Sequence, residues 1–363
     1  MQILAGLALA FGPAPLLGGS NDRPLVVAHY MIWFQSGGAH WAPQTQSNPA
    51  YFDRFSDGCD NQHKLPTWFP PIEGPFSSDD EDHIRSDLTR MRDHGIDGLI
   101  FDYQQPCHKP ERDFVKGALK TAMGVIEKEF PSLQFAIMYD LASACDGAWD
   151  YPGRNQDWGE VIGWAQQSPN YLTVKGKKLI FAFGATPMPT STDAAACAEC
   201  VFYAQARRDT GIDKIAWDQQ GAFAWQDPQQ HTSLSNPTTP EQMLEKLDHF
   251  YYHDDKKGCK HFAHGDKPVP CVGAAFAGFA AIYENHGYIP RSTWLLRATL
   301  DMCRAAGVKV CQLPTWNDYN EGTHIQPSHW CQSKADGPSN DCGTAVCDEE
   351  SFVDAVKNWV DSV

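Results

Sequence analysis

Short apolar runs alternate with longer amphipathic stretches along most of this chain, and that alternation limits the folds open to it. The runs lie at 25–31, 98–102, 135–140, 179–183, 214–218, 272–276 and 308–313. Most are apolar at nearly every position, as strands covered on both faces must be. Helical patterns fall at 79–94, 111–129, 156–167, 193–208, 239–251, 292–305 and 349–361. Ser78-Asp79-Asp80-Glu81 and Thr239-Pro240-Glu241 carry the side chains that start helices: an oxygen for the free amides, then an acid or a proline. Strand and helix in succession mean a parallel sheet with helical crossovers. Seven such units are one short of a closed ring of eight, and 221–225 offers an eighth strand. The predicted fold is α/β, one (β/α)8 TIM barrel spanning 21–363, without linker or repeat.

Composition narrows the partners. The 29 basic and 45 acidic side chains leave a net charge of −16 over 363 residues, which argues against nucleic acid and against an anionic membrane surface. A neutral or cationic substrate fits better. With 12 Trp, 12 Tyr and 19 Phe, some rings are expected to line a cleft, since cores rarely enclose so many Trp completely. Twelve cysteines, an even count, suit a secreted protein with disulfides. Cys197-Ala-Glu-Cys200 resembles half of a zinc site but has no second Cys-x-x-Cys. Cys331, Cys342 and Cys347 crowd a Gly/Ser/Asp-rich stretch expected to form a small disulfide loop. Residues 1–20 read as a signal peptide, with an apolar core too short to span a bilayer. A secreted monomer is expected, with no membrane anchor.

Several predicted strands end in polar or aromatic residues: His29 and Tyr30, Asp102 and Tyr103, Tyr139 and Asp140, Asp218, and Asn317 and Asp318. Strand C-termini converge on the functional face of a barrel, so these residues are expected to line a site, together with Trp225. The most informative segment is Leu313-Pro314-Thr315-Trp316-Asn317-Asp318-Tyr319-Asn320-Glu321-Gly322-Thr323-His324-Ile325-Gln326-Pro327. Asp318 and Glu321 are three positions apart, and an extended strand would send them to opposite faces. Asn320 and Gly322 favour a turn, which would bring both carboxylates to one substrate. Two carboxylates so close cannot both ionise freely. One keeps its proton, giving the acid and base that glycoside hydrolysis needs. Trp316 and Tyr319 are expected to stack on sugar rings, with Asn317 and His324 beside them.

Trp316-Asn317-Asp318-Tyr319-x-Glu321 resembles the signature of glycoside hydrolase family 71, the fungal α-1,3-glucanases or mutanases. Ala28-His29-Tyr30-Met31, the 95–102 strand, a strand ending in Asp140 and Ala216-Trp217-Asp218 follow in a similar order. The resemblance implies a metal-free barrel cleaving α-glucan with inversion, with Glu321 as general acid and Asp318 as base. The Glu321-Gly322-Thr323-x-Ile325-x-Pro327 portion is closer to family 99, the retaining endo-α-mannosidases. A non-catalytic glycan-binding barrel is the reading from another class. His249-x-x-x-His253 with His261-x-x-His264 lacks the zinc signature, and no nucleotide loop or serine elbow is present. No metal and no cofactor are expected, and the partner is a polysaccharide, an α-glucan.

Overall fold

The computed structural model describes residues 23–41 except 39, 67, 69–104, 106, 109–140, 154–184, 197, 199–205, 221–226, 238–252, 271–282, 288–328 and 350–363, and short pieces at 263–264, 267–268, 331–333, 337–338 and 346–347. Eight parallel strands form the centre: β1 Leu25–Met31, β2 Gly98–Gln104, β3 Gln134–Asp140, β4 Lys177–Phe183, β5 Cys200–Gln205, β6 Gly221–Phe223, β7 Cys271–Ala274 and β8 Val310–Leu313. Each pairs with the next, and β8 pairs with β1, with Leu25 opposite Val310 and Ala28 opposite Leu313, so the sheet closes. This is a (β/α)8 barrel.

The expected strands at 25–31, 98–102, 135–140, 179–183, 221–225, 272–276 and 308–313 all coincide with observed strands. The fifth does not. A helix was expected over 193–208, but Cys200–Gln205 is a strand pairing with β4 and β6. The Ala-rich stretch before it mimics a helix, whereas Val201, Phe202 and Tyr203 favour a pleated surface. Cys197 and Cys200 form a disulfide at the entrance of this strand, which replaces the half zinc site. The expected strand at 214–218, with Asp218, lies outside the described residues.

The helices are α1 Glu81–Asp93, α2 Lys109–Glu129, α3 Arg154–Ala165, α4 Pro240–Tyr252, α5 Thr293–Ala306 and α6 Ser351–Ser362. Their starts follow the sequence signals. Asp80 accepts from the amides of Asp82 and His83. At α4, Thr239 Oγ1 accepts from Gln242 N while Gln242 Oε1 accepts from Thr239 N, a reciprocal capping box. Ser292 caps α5 through Leu295 N, and Gly307 closes it in the left-handed region. Cys303 on α5 is bridged to Cys311 on β8, both fully buried. None of the described helices is long and apolar enough to cross a membrane.

Alternation along the strands separates two cores. Val27, Ile100, Ala136, Met138, Phe181, Phe223, Val272 and Val310 fill the barrel interior. Their neighbours Val26, Ala28, Leu99, Phe101, Phe135 and Ile137 face the helices and pack with Leu88, Leu119, Ile126, Leu300 and Trp359. Near the C-terminus, Cys331–Ser333, Gly337–Pro338 and Val346–Cys347 form a small antiparallel sheet in which Cys331 lies opposite Cys347.

Candidate active site

The chain leaving β8 folds into a turn that brings Asp318 and Glu321 together. Thr315 Oγ1 accepts from Asp318 N at 2.9 Å and lies 2.8 Å from Thr323 Oγ1, closing the base of the turn. Glu321 N donates to Asp318 Oδ1 at 3.1 Å, so the backbone of one acid is hydrogen-bonded to the carboxylate of the other. The outer side of the turn is fixed to the 279–282 segment, where Ala280 N donates to Glu321 O at 2.8 Å and Ile282 N to Asn320 O at 2.9 Å. Gly322 adopts φ +59°, and a Cβ there would lie 2.7 Å from Ala280 O, so the turn requires glycine on both counts. Asp318 is buried, and Glu321 is partly exposed as a residue while its carboxyl lies deep in the site.

The strand ends bring two more acids into the same space. Asp102 shares the inward face of β2 with Ile100, and Asp140 shares that of β3 with Met138. Burial, then Asp140, Asp318 and Glu321, hold Asp102 well above the usual carboxylate range. Its Oδ1 is buried without a hydrogen-bond partner. Burial pushes Asp318 up to about 6, opposed by the backbone amides of Glu321 and Asn320. Glu321 is held well above its usual value, first by burial, then by Asp318 and Asp140. Asp102 is thus raised by the other three acids, Glu321 by Asp318 and Asp140, and Asp318 by Asp140, so the set favours retained protons over full ionisation.

His29 and Trp225 also belong to the interior. Gln312 is oriented by its Nε2, which donates to Ala224 O, so its Oε1 accepts from His29 Nε2 at 2.7 Å. The hydrogen on Nε2 leaves Nδ1 as a buried acceptor without a partner, and burial lowers the ring to about 3, keeping it neutral. Trp225 meets the His29 ring edge-on, with centroids 4.7 Å apart.

The remaining expected subsite residues lie elsewhere, and the reason is the two-residue period of a strand. Tyr30, Tyr103 and Tyr139 neighbour inward residues and therefore face the helices. Tyr30 donates to Asp87 Oδ2 at 3.0 Å, Tyr103 to Asp157 Oδ2 at 2.7 Å, and Tyr139 stacks on Trp158 at 4.4 Å. Tyr319 is wholly buried and donates to Gln326 Oε1 at 2.9 Å, while Gln326 Nε2 donates to Asp87 Oδ1 at 2.7 Å. Trp316 is wholly buried against the outer core. Asn317 brackets Met31, accepting from its N–H at 2.7 Å and donating to its carbonyl at 3.0 Å. His324 is wholly buried beside Tyr319 and Arg291. These seven side chains shape the site from behind and offer substrate no face.

Three contributors were not anticipated. Gln312 sets the His29 tautomer, and the period-two pattern of β8 could have flagged it. Trp33, two residues past β1 and partly exposed, lies 5.5 Å from the ring of His40 and packs against the cluster that holds Met31, Phe34 and Tyr319. Arg291 carries no sequence signal, because its contacts are tertiary. As for metals, the grouping among the described residues that could hold an ion is His94, Glu350 and Asp354, none of them at the barrel mouth. Of the histidine pattern, His249 is exposed on α4, while His253 and His261 lie outside the described residues.

Fold and site together define a (β/α)8 barrel whose C-terminal mouth is lined by buried carboxylates. No family model and no curated protein matches the chain. Solved structures do. The GH99 endo-alpha-mannosidase from Bacteroides thetaiotaomicron is 14% identical, with 93% of this chain and 97% of that one aligned at a TM-score of 0.59. A glycoside hydrolase-like protein is 12% identical, with 96% and 97% aligned at a TM-score of 0.62. At such identities the likeness establishes the fold alone, a (β/α)8 barrel.

Proposed function

We propose that the chain is a secreted glycoside hydrolase that cleaves an α-linked polysaccharide, α-1,3-glucan first among them, with inversion. The observation that carries this reading is the Asp318–Glu321 turn, in which the two acids are joined through one backbone amide and lie in unlike surroundings, Asp318 beside two amides that favour its charge and Glu321 facing Asp318 and Asp140. Glu321, holding its proton, is the general acid: it protonates the glycosidic oxygen as the C1–O bond breaks. Asp318, ionised, is the base: it takes a proton from the water that attacks C1 on the opposite side. Asp102 and Asp140 bind sugar hydroxyls, and Trp225 and Trp33 supply ring faces. The Cys197–Cys200 and Cys303–Cys311 disulfides favour secretion. Asp218 remains a proposed subsite residue on the sequence pattern alone.

The second reading, an endo-α-mannosidase-like retaining enzyme, is favoured by Glu321-Gly322-Thr323-x-Ile325-x-Pro327 and by the fold shared with the Bacteroides enzyme. Incubation with insoluble α-1,3-glucan and, separately, α-mannan, with the released anomer followed by NMR, tests both. β-Anomers from the glucan are expected. α-Anomers from the mannan would replace this reading by the second, and no release from either polymer would overturn both.

A further inference from the structure

We propose that Arg291 is a positioning residue for the reaction, holding the turn so that Glu321 is aimed at the glycosidic oxygen; this rests on the catalytic pair proposed above. Arg291 is 3% exposed, and its guanidinium is sandwiched between the rings of Phe69 and Phe352, with Cζ 4.5 and 4.7 Å from their centroids. Nη1 donates to Gly322 O at 2.9 Å and Nη2 to His324 O at 2.6 Å. Following the backbone oxygens along the turn shows why those two bonds matter. The carbonyls of Asp318, Tyr319, Asn320, Glu321 and Thr323 accept from the amides of Thr323, Gly322, Ile282, Ala280 and Thr315. Gly322 and His324 are the carbonyls that the side chain of Arg291 takes, one directly after Glu321 and one three residues after it.

The arrangement is costly as packing alone. A buried guanidinium loses its hydration, and two rings and two carbonyl dipoles return only part of it. Its Nε is buried without a partner. Burial pushes the guanidinium down to about 9, which leaves it charged at neutral pH. An unbranched apolar side chain such as Met would fill the slot between the rings at lower cost. What it lacks is the rigid fork that holds two carbonyls at fixed spacing. The fork is itself anchored: Ser292 N donates to Ala277 O at 2.7 Å, and a Cβ on Gly278 would lie 2.7 Å from Arg291 Cα. The backbone of Arg291 is therefore fixed by the start of α5, and the turn is fixed by Arg291.

Arg291→Met and Arg291→Lys in the full chain test this by two readouts. The first is kcat and KM on α-1,3-glucan. The second is the carboxyl titration of Glu321 by 13C NMR, its signal identified by loss in Glu321→Gln. The acids facing Glu321 are Asp318, Asp140 and Asp102. Release of the turn moves Glu321 away from them, so its titration is expected to fall toward the ordinary carboxylate range in Arg291→Met. In the same variant kcat is expected to drop on the order of 100-fold, the scale of a misplaced catalytic group, with KM little changed. Lys, with one donor group, recovers part of both. A folded Arg291→Met with kcat and Glu321 titration as in wild type overturns the proposal, as does a rise in KM alone. Should the Met variant fail to fold, Arg291→Lys with wild-type kcat and titration overturns it equally. If the wild-type protein cleaves no polysaccharide, the hydrolase reading falls and the titration decides on Arg291 by itself.

Discussion

At the scale of single residues, the site sets like groups in unlike surroundings. Asp318 lies close to two backbone amides that stabilise its charge, while Glu321 has other acids as its main electrostatic neighbours. On the proposed mechanism, turnover requires Asp318 as carboxylate and Glu321 as acid. Below about 6 Asp318 binds a proton and the base is lost; at higher pH Glu321, raised above its ordinary value by burial and by Asp318 and Asp140, loses its proton and the acid is lost. A bell-shaped profile of kcat/KM is therefore expected, with its acid limb near 6. Glu321→Gln removes the proton donor without removing volume, so kcat should fall by roughly 100- to 10,000-fold while glucan binding persists. Rates measured across pH 4–10 with wild type and this variant check both points. An unchanged rate in Glu321→Gln would transfer the acid role to another carboxyl and favour the glycan-binding reading if turnover were absent throughout.

At the scale of elements, the turn after β8 is held by a polar chain running behind the barrel. Tyr30 on β1 and Gln326 after the turn both donate to Asp87 on α1, and Tyr319 donates to Gln326. Asp87 is wholly buried, so every lost donor leaves part of a carboxylate unsolvated. Tyr30→Phe should cost about 1–3 kcal/mol in urea unfolding, with KM unaltered. A raised KM at unchanged stability would return Tyr30 to the substrate side. This network also marks how far the sequence reaches. Seven of the eight barrel strands and most helices were legible because a buried strand and an amphipathic helix leave different periods in the pattern. The facing of neighbouring residues also lay in the pattern, against the expectation that Asp102 and Tyr103, and Tyr139 and Asp140, would all line the site: adjacent residues cannot share one side of a strand. What was not legible is the strand at 200–205, masked by helix-forming alanines, and Arg291, whose ring partners Phe69 and Phe352 are distant in the chain. Contacts between residues so separated leave no periodic trace.

At the scale of the whole molecule, acidity works with the barrel mouth. The charges acting on Asp102, Asp318 and Glu321 are one another's and that of Asp140, within a chain of net charge −16. An ionised carboxylate facing a substrate carboxylate at roughly 8 Å, with an effective dielectric of about 20, repels it by about 2 kcal/mol. That corresponds to roughly thirtyfold in kcat/KM for each such pair. The neutral polymer carries no such charge and pays no such repulsion. An α-1,3-glucan oxidised at C6 to its uronate should accordingly be cleaved at least tenfold more slowly than the parent polymer, on the same Coulomb estimate. Added salt should narrow the gap by speeding the uronate and leaving the neutral glucan unchanged, since screening acts only on charged pairs. Parallel assays of the two polymers at low and high ionic strength make the comparison. Equal rates would mean that the four acids face one another across a space the substrate's C6 never enters, and the subsite roles of Asp102 and Asp140 would have to be given up.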